Sequence, residues 1–211
     1  MSKSSAQALK GWDTMPSPQT VTKVVEALKA RGFKAELLAD RSSALERVIS
    51  LIPEGAQVMT GGSRTLDEIG LTNLLKSGAH KWTNLKEQIV AEKDREKQME
   101  LRRKATFADY FIGSVQAVTE SGQLVAGSAT GSQLAAYAYG GNHLMLVVGV
   151  QKITADLNDA LRRLREYSTP LEDGRMKGLG FPGTYLSKVF IYEAEARRDV
   201  HVIFVNEKLG F

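Results

Sequence analysis

Residues 108–153 read ADYFIGSVQAVTESGQLVAGSATGSQLAAYAYGGNHLMLVVGVQKI, and this stretch decides the fold. Its apolar runs are short, rich in Val, Ile, Leu and aromatic residues, and separated by Gly, Ser and Thr. That pattern predicts several buried strands joined by tight turns. Glu120 falls in one of the turns, flanked by Thr119, Ser121 and Gly122. A carboxylate there can act as a nucleophile toward an acyl group, as a general base, or as an acceptor for a sugar hydroxyl. The same residue also suits a solvated hairpin. Ser128, Thr130, Gly131 and Ser132 then precede a small-residue helix over 133–138, and they either donate to a ligand or cap that helix.

Upstream, Ala56 to Met59 reads as a short strand running into Gly61, Gly62, Ser63, Arg64 and Thr65, then into an amphipathic run from Leu66 to Leu71. Strand, glycine turn and helix start leave backbone N–H groups free for an anion, with Ser63 and Thr65 adding hydroxyls and Arg64 a charge. The alternative is a tight turn. Neither a Gly-Lys-Ser/Thr phosphate loop nor a GxGxxG dinucleotide fingerprint is present.

The flanks complete an alternation of helices and strands. Residues 1–17 lack periodicity and read as a flexible arm, so a single domain is expected over 18–211. Val21, Val24, Val25 and Leu28 form a helical stripe that Gly32 ends, and Lys34 to Ala39 is a strand. Asp40 or Ser42 caps a second helix that Pro53 stops. Residues 84–104 read as one long charged helix, either a projecting arm for a homodimer or a solvated helix packed on one side. Thr154 caps a helix carrying Leu157, Ala160, Leu161 and Leu164, with Arg162, Arg163 and Arg165 mostly opposite, and Pro170 stops it. Residues 171–184 read as a glycine-rich loop that closes over a site or links elements. Lys188 to Tyr192 and His201 to Val205 are two last strands, as a hairpin or an adjacent pair. The predicted class is α/β, an open, largely parallel sheet with flanking helices.

Composition narrows the chemistry. The absence of cysteine excludes disulfides, thiolate nucleophiles and self-contained iron–sulfur clusters. His80, His143 and His201 are far apart in sequence and unpaired, so no metal site is expected, and the cofactor is left unassigned. A formal charge of +4 is only mildly basic, with Lys and Arg interleaved among Asp and Glu, so no nucleic-acid partner is expected. No apolar run is long enough for a membrane or a signal segment, and a cytoplasmic location follows as the expectation.

The central stretch, together with TGGSRTLDEIGL at residues 60–71, resembles the LUD-domain family, which includes the lactate-utilisation protein C type. The resemblance implies a fold akin to ribose-5-phosphate isomerase, glucosamine-6-phosphate deaminase and CoA transferases, with Gly61 to Thr65 at the phosphate-loop position. Glu120 looks analogous to the acyl-carrying glutamate of class I CoA transferases, although their motif is not matched in full. The family's naming implies a small anionic metabolite as ligand and iron–sulfur lactate-oxidation subunits as partners of a non-redox chain. A stand-alone isomerase or CoA transferase using Glu120, and a non-catalytic interaction protein, are the alternatives.

Overall fold

The structure is a computed structural model that describes residues 11–211. Helix α1 (Pro18–Ala30) starts where the Ser17 side chain accepts from Thr20 N, and buries Val21, Val24, Val25 and Leu28. Strand β1 (Lys34–Leu38), helix α2 (Arg41–Leu51, capped by Asp40) and strand β2 (Gln57–Thr60) follow. Two short helices, α3 (Arg64–Glu68) and α4 (Leu71–Ser77), lead to β3 (Thr83–Asn84). The central stretch supplies β4 (Tyr110–Gly113), β5 (Ala117–Thr119), β6 (Leu124–Ser128) and, across the short helix α7 (Ser132–Ala138), β7 (His143–Gly149). Strands β8 (Ile153–Thr154), β9 (Lys188–Tyr192) and β10 (Asp199–Val205) complete the set.

Six strands form a parallel sheet in the order β1-β10-β7-β4-β2-β3. Its middle strands are covered on both faces, which is why they read as continuous apolar runs. In β7, Leu144, Leu146 and Val148 face the core under α1, while Met145 and Val147 face the core under α2 and α4. β10 alternates in register with it, Val202 and Phe204 against Ile203 and Val205. Each such side chain contributes roughly 1.5–3 kcal/mol of burial. A second sheet, β8-β5-β6-β9, mixes parallel and antiparallel pairs and stands beside the first.

Five local expectations are corrected. The charged segment is two helices, α5 (Leu85–Ala91) and α6 (Arg95–Lys104), because Glu92 is extended and the Asp94 carboxylate caps α6 by accepting from Glu96 N and Lys97 N. Gln98 Nε2 donates back to Ile89 O at 3.0 Å, tying off the first helix with the second. Pro170 does not end the helix that follows β8. Helix α8 (Leu157–Arg163, capped by Asp156 rather than Thr154) widens into a π-turn over Leu164–Ser168 and continues as α9 (Thr169–Gly178), with Pro170 in the first turn. The wider turn accommodates a proline ring and its missing N–H. Much of the expected loop over 171–184 is therefore helical. The last two strands belong to different sheets, β9 pairing with β6 and β10 lying between β1 and β7.

Residues 1–10 of the expected arm lie outside the described residues. Trp12 and Asp13 are held, Trp12 O accepting from Arg163 Nε at 3.0 Å and Asp13 pairing with Lys208 at 3.2 Å. No helix among the described residues is long and apolar enough to cross a membrane.

Asp94→Ala removes a cap at an exposed helix start without touching the core, so a loss of about 1 kcal/mol is expected. In a chain of this size that lowers the thermal unfolding midpoint by roughly 2–4 °C, measurable by circular dichroism.

Candidate functional site

In an open parallel sheet, ligands meet the chain where strands end and loops begin. Here the carboxyl ends of β2 and β4 converge with the turn after β7. Thr60 leads into Gly61, Gly113 into Ser114, and Gly149 into a 3-10 turn over Val150–Lys152. Between these ends lies a polar cavity of about 60 Å³, room for a few waters or one carboxylate-sized group. Its walls include Gly62 to Thr65, Ser114 to Gln116, Gln133, Lys152, Ser168 and Glu172.

Lys152 dominates the site. It is 2% exposed, and its Nζ donates to Thr65 Oγ1 at 2.9 Å and Ser114 Oγ at 3.1 Å. No carboxylate among the described residues is within salt-bridge distance of it. Burial is the main reason its pKa falls from 10.5 to about 7, with the charge of Arg163 lowering it further and that of Glu68 opposing. The two hydroxyls are tied into their surroundings: Thr65 Oγ1 donates to Leu209 O at 3.3 Å, and Ser114 Oγ lies 3.3 Å from Thr65 Oγ1. Ser114 is fixed in turn by Tyr137, whose hydroxyl accepts from Ser114 N and donates to Ser114 O. Gly113 makes that approach possible, since a β-carbon there would press into the Tyr137 ring.

Arg163 is a second buried cation, fully enclosed although it lies on a surface helix. Its guanidinium donates to Gln116 O, to Ser168 Oγ at 3.1 Å and to Trp12 O, and Nη2 is buried with no hydrogen-bond partner among the described residues. Burial pulls its pKa down to about 10, still charged at neutral pH. Gln116 and Ser168 are cavity walls, so Arg163 holds the floor from behind. Glu172 is neutralised by Arg175 through two contacts of 2.7 Å.

The glycine loop reaches this cavity, but its groups divide. Gly62, Ser63, Arg64 and Thr65 line it. Gly61 does not, because its N–H extends the sheet by donating to Ile112 O. Ser63 caps α3 by accepting from Leu66 N, Arg64 is paired with Glu68 at 2.8 Å, and the Thr65 hydroxyl serves Lys152 rather than open space. Ser128 lines an adjoining cavity, also about 60 Å³, that shares Gln116, Ser168 and Glu172 with the first. Its hydroxyl accepts from Gly131 N at 2.9 Å. Thr130 and Ser132 pair with each other at the surface, and Gly131, at φ +83°, caps the short helix α7 (Ser132–Ala138). Gln133 is the residue of that segment that reaches the first cavity.

Glu120 is not brought to this place. It pairs with Lys23 of α1 at 2.8 Å, at the turn between β5 and β6. Gln116, on the cavity wall, precedes that turn by four extended residues, about 13 Å of strand. One end of the hairpin therefore meets the cavity and the other meets α1, and Glu120 does not converge with the glycine loop on one cavity.

A larger and mainly apolar cavity of about 360 Å³ lies between α4 and α5, bordered by Leu75, Val90 and the half-buried Lys86. Its amine reaches Thr60 Oγ1 and Gly61 O only at 3.3 and 3.4 Å. Fewer polar groups converge there than around Lys152. Among the described residues, no group of three or more His, Asp or Glu is placed to hold a metal ion.

Lys152, Arg163, Ser114, Gln116, Ser168 and Glu172 are site residues that no motif in the sequence marks. Arg163 is three residues beyond buried Ala160 and so shares its helix face. Lys152 closes a long apolar run, where a charged residue is either at the surface or specially housed.

The LUD domain family model matches residues 21–205. No curated protein matches. The crystal structure of a DUF162 family protein from Deinococcus radiodurans, solved at 1.70 Å, is similar with a TM-score of 0.55 at 9% identity, over 92% of this chain and 100% of that one. At that identity the likeness concerns the fold.

Stability carries a signature of the buried amine. Between about pH 7 and 10.5 the native Lys152 is neutral while the unfolded one is charged, so the unfolded chain binds the extra proton. Stability of the native protein relative to Lys152→Met is therefore expected to rise with pH across that window, by up to a few kcal/mol. Urea unfolding of both proteins at pH 6.5, 8 and 9.5 checks it; a constant difference contradicts the buried neutral amine.

Proposed function

The chain belongs to the LUD-domain family, a lactate-utilisation-related family, and from that premise we propose that it binds a small organic-acid anion in the cavity beside Lys152. On this reading it is a non-redox component of organic-acid utilisation, working with iron–sulfur proteins that carry the electrons. The observation that carries the proposal is the amine of Lys152, buried on the cavity wall with two hydroxyls and no carboxylate in contact. A buried amine without a carboxylate partner is a place where an incoming anion gains more than it would in water. An anion there also raises the amine's affinity for its proton, so binding brings its own complement.

Gly62 and Ser63 offer backbone and hydroxyl contacts at the mouth, and Arg64 a charge shared with Glu68. The dimensions suit a carboxylate with a short substituent. The adjoining cavity, reached past Gln116 and Ser168, gives a longer substituent somewhere to go.

Thermal shift with lactate, pyruvate, sugar phosphates and CoA esters tests the reading. A small organic acid at a hundred times its dissociation constant is expected to stabilise the protein by about 2.7 kcal/mol. Lys152→Met is expected to weaken binding by at least ten-fold, the loss of a charged hydrogen bond. Glu120→Gln is expected to bind as the parent does, since its exposed pair with Lys23 is worth at most about 1 kcal/mol to folding. Equal affinity of Lys152→Met and the parent, or no response to any organic acid, overturns the proposal.

A further inference from the structure

We infer that Lys152 is an amine nucleophile, and that the cavity takes a small 2-oxo acid whose ketone carbon condenses with Lys152 Nζ to form an imine. This rests on the organic-acid reading of the cavity and goes beyond it by assigning a covalent step.

The geometry around the nitrogen carries the inference. Nζ has two hydrogen-bond acceptors in reach, Thr65 Oγ1 and Ser114 Oγ. A neutral amine has two N–H groups, so these two acceptors satisfy it completely and leave the lone pair without a partner. An ammonium would carry a third N–H with no acceptor in contact among the described residues, a costly state for a buried group. Arg163, a permanent cation behind the same wall, acts in the same direction. Lysines used for imine chemistry are kept neutral by these two devices, desolvation and an adjacent cation. The lowered pKa of Lys152, about 7, agrees with that geometry.

The requirements on the ligand follow. Gly62, Ser63 and Lys152 border one cavity of about 60 Å³, so a carboxylate held by the first two keeps its adjacent carbon inside the space that Lys152 lines. A 2-oxo acid carries its electrophilic carbon at that position; a 2-hydroxy acid has no electrophile there. In the step, the Nζ lone pair forms the new N–C bond and the carbonyl π-pair moves to oxygen, which takes up a proton. The resulting carbinolamine loses its oxygen as water, after one further proton reaches the hydroxyl and one leaves nitrogen. The neutral amine, the ketone and one proton become a protonated imine and one water, with no oxidant or reductant required. Thr65 and Ser114 stand at hydrogen-bond distance from the nitrogen that gives up a proton.

Incubation of the full-length protein with pyruvate and sodium cyanoborohydride, followed by peptide mass mapping, tests the assignment. The expected result is a reduced pyruvyl adduct on Lys152 in most of the protein, above the level on any other lysine and suppressed by excess lactate. Lys152→Met serves as the adduct-free control, and mapping on the unaltered chain makes the result independent of whether that variant folds. A thermal shift with pyruvate without an adduct at Lys152 overturns the imine and leaves organic-acid binding standing. Neither shift nor adduct overturns both. Labelling spread evenly over surface lysines also overturns the inference.

Discussion

Taking a lysine amine out of water costs several kcal/mol unless its protons find acceptors, and the carboxyl edge of the parallel sheet is organised around meeting that demand at Lys152. The acceptors come from two other segments: Thr65 from the helix after β2, and Ser114 from the residue after β4. Neither hydroxyl would be in place alone. Ser114 is held by the buried Tyr137 hydroxyl and by the absence of a side chain at Gly113, while Thr65 is held through Leu209 O. The amine thus links three strand ends and the segment after β10 through one set of hydrogen bonds.

Arg163 performs the corresponding task between the two sheets. Its guanidinium bonds to Gln116 ahead of the small sheet, to Ser168 at the end of the π-turn and to Trp12 of the N-terminal segment. The π-turn makes this possible. A regular α-helix keeps a fixed angular step, whereas one wide turn at Leu164–Ser168 re-phases the helix so that Ser168 and Glu172 both reach the cavity wall. Leu164 O accepts twice from Thr169, from its backbone N–H across the wide turn and from its Oγ1 at 2.7 Å, which pins the irregular turn just ahead of Pro170. The departure from regular helix and the position of the site have one cause.

Much of the fold was legible because burial on both faces writes long apolar runs into β4, β7 and β10, and one-sided burial writes a clear stripe into α1. The glycine loop was legible too, and it does border the cavity. The small sheet was not, since β5 has three residues and β8 two, too few to show a period. The break between α5 and α6 was hidden because Asp94 reads equally well as one more charge on an exposed helix and as a cap. Lys152 and Arg163 leave no mark in the sequence for a common reason: sequence patterns assign charge to the surface, and these two are buried by partners distant in the chain.

Glu120 illustrates the limit from the other side. A Thr-Glu-Ser-Gly turn among small hydroxyl residues has the composition of a reactive site, yet composition says nothing about which end of a hairpin points where. The register of β5 against β6 answers that. Val118 pairs with Leu124 and Ala117 with Val125, so the turn closes at residues 120–122, beyond the last pair. The opposite end, at Gln116 and Gly127, is fastened by Gly127 N donating to Gln116 Oε1 at 2.9 Å. The hairpin is therefore a strut. Its turn rests on α1, where Gly122 lies against the backbone of Ala27, and its open end presents Gln116 and Ser128 to the two cavities. A strut of this kind explains why a chain with a complete six-stranded sheet carries a second one: the cavity needs a wall that the parallel sheet, whose strands all end on the same side, does not supply.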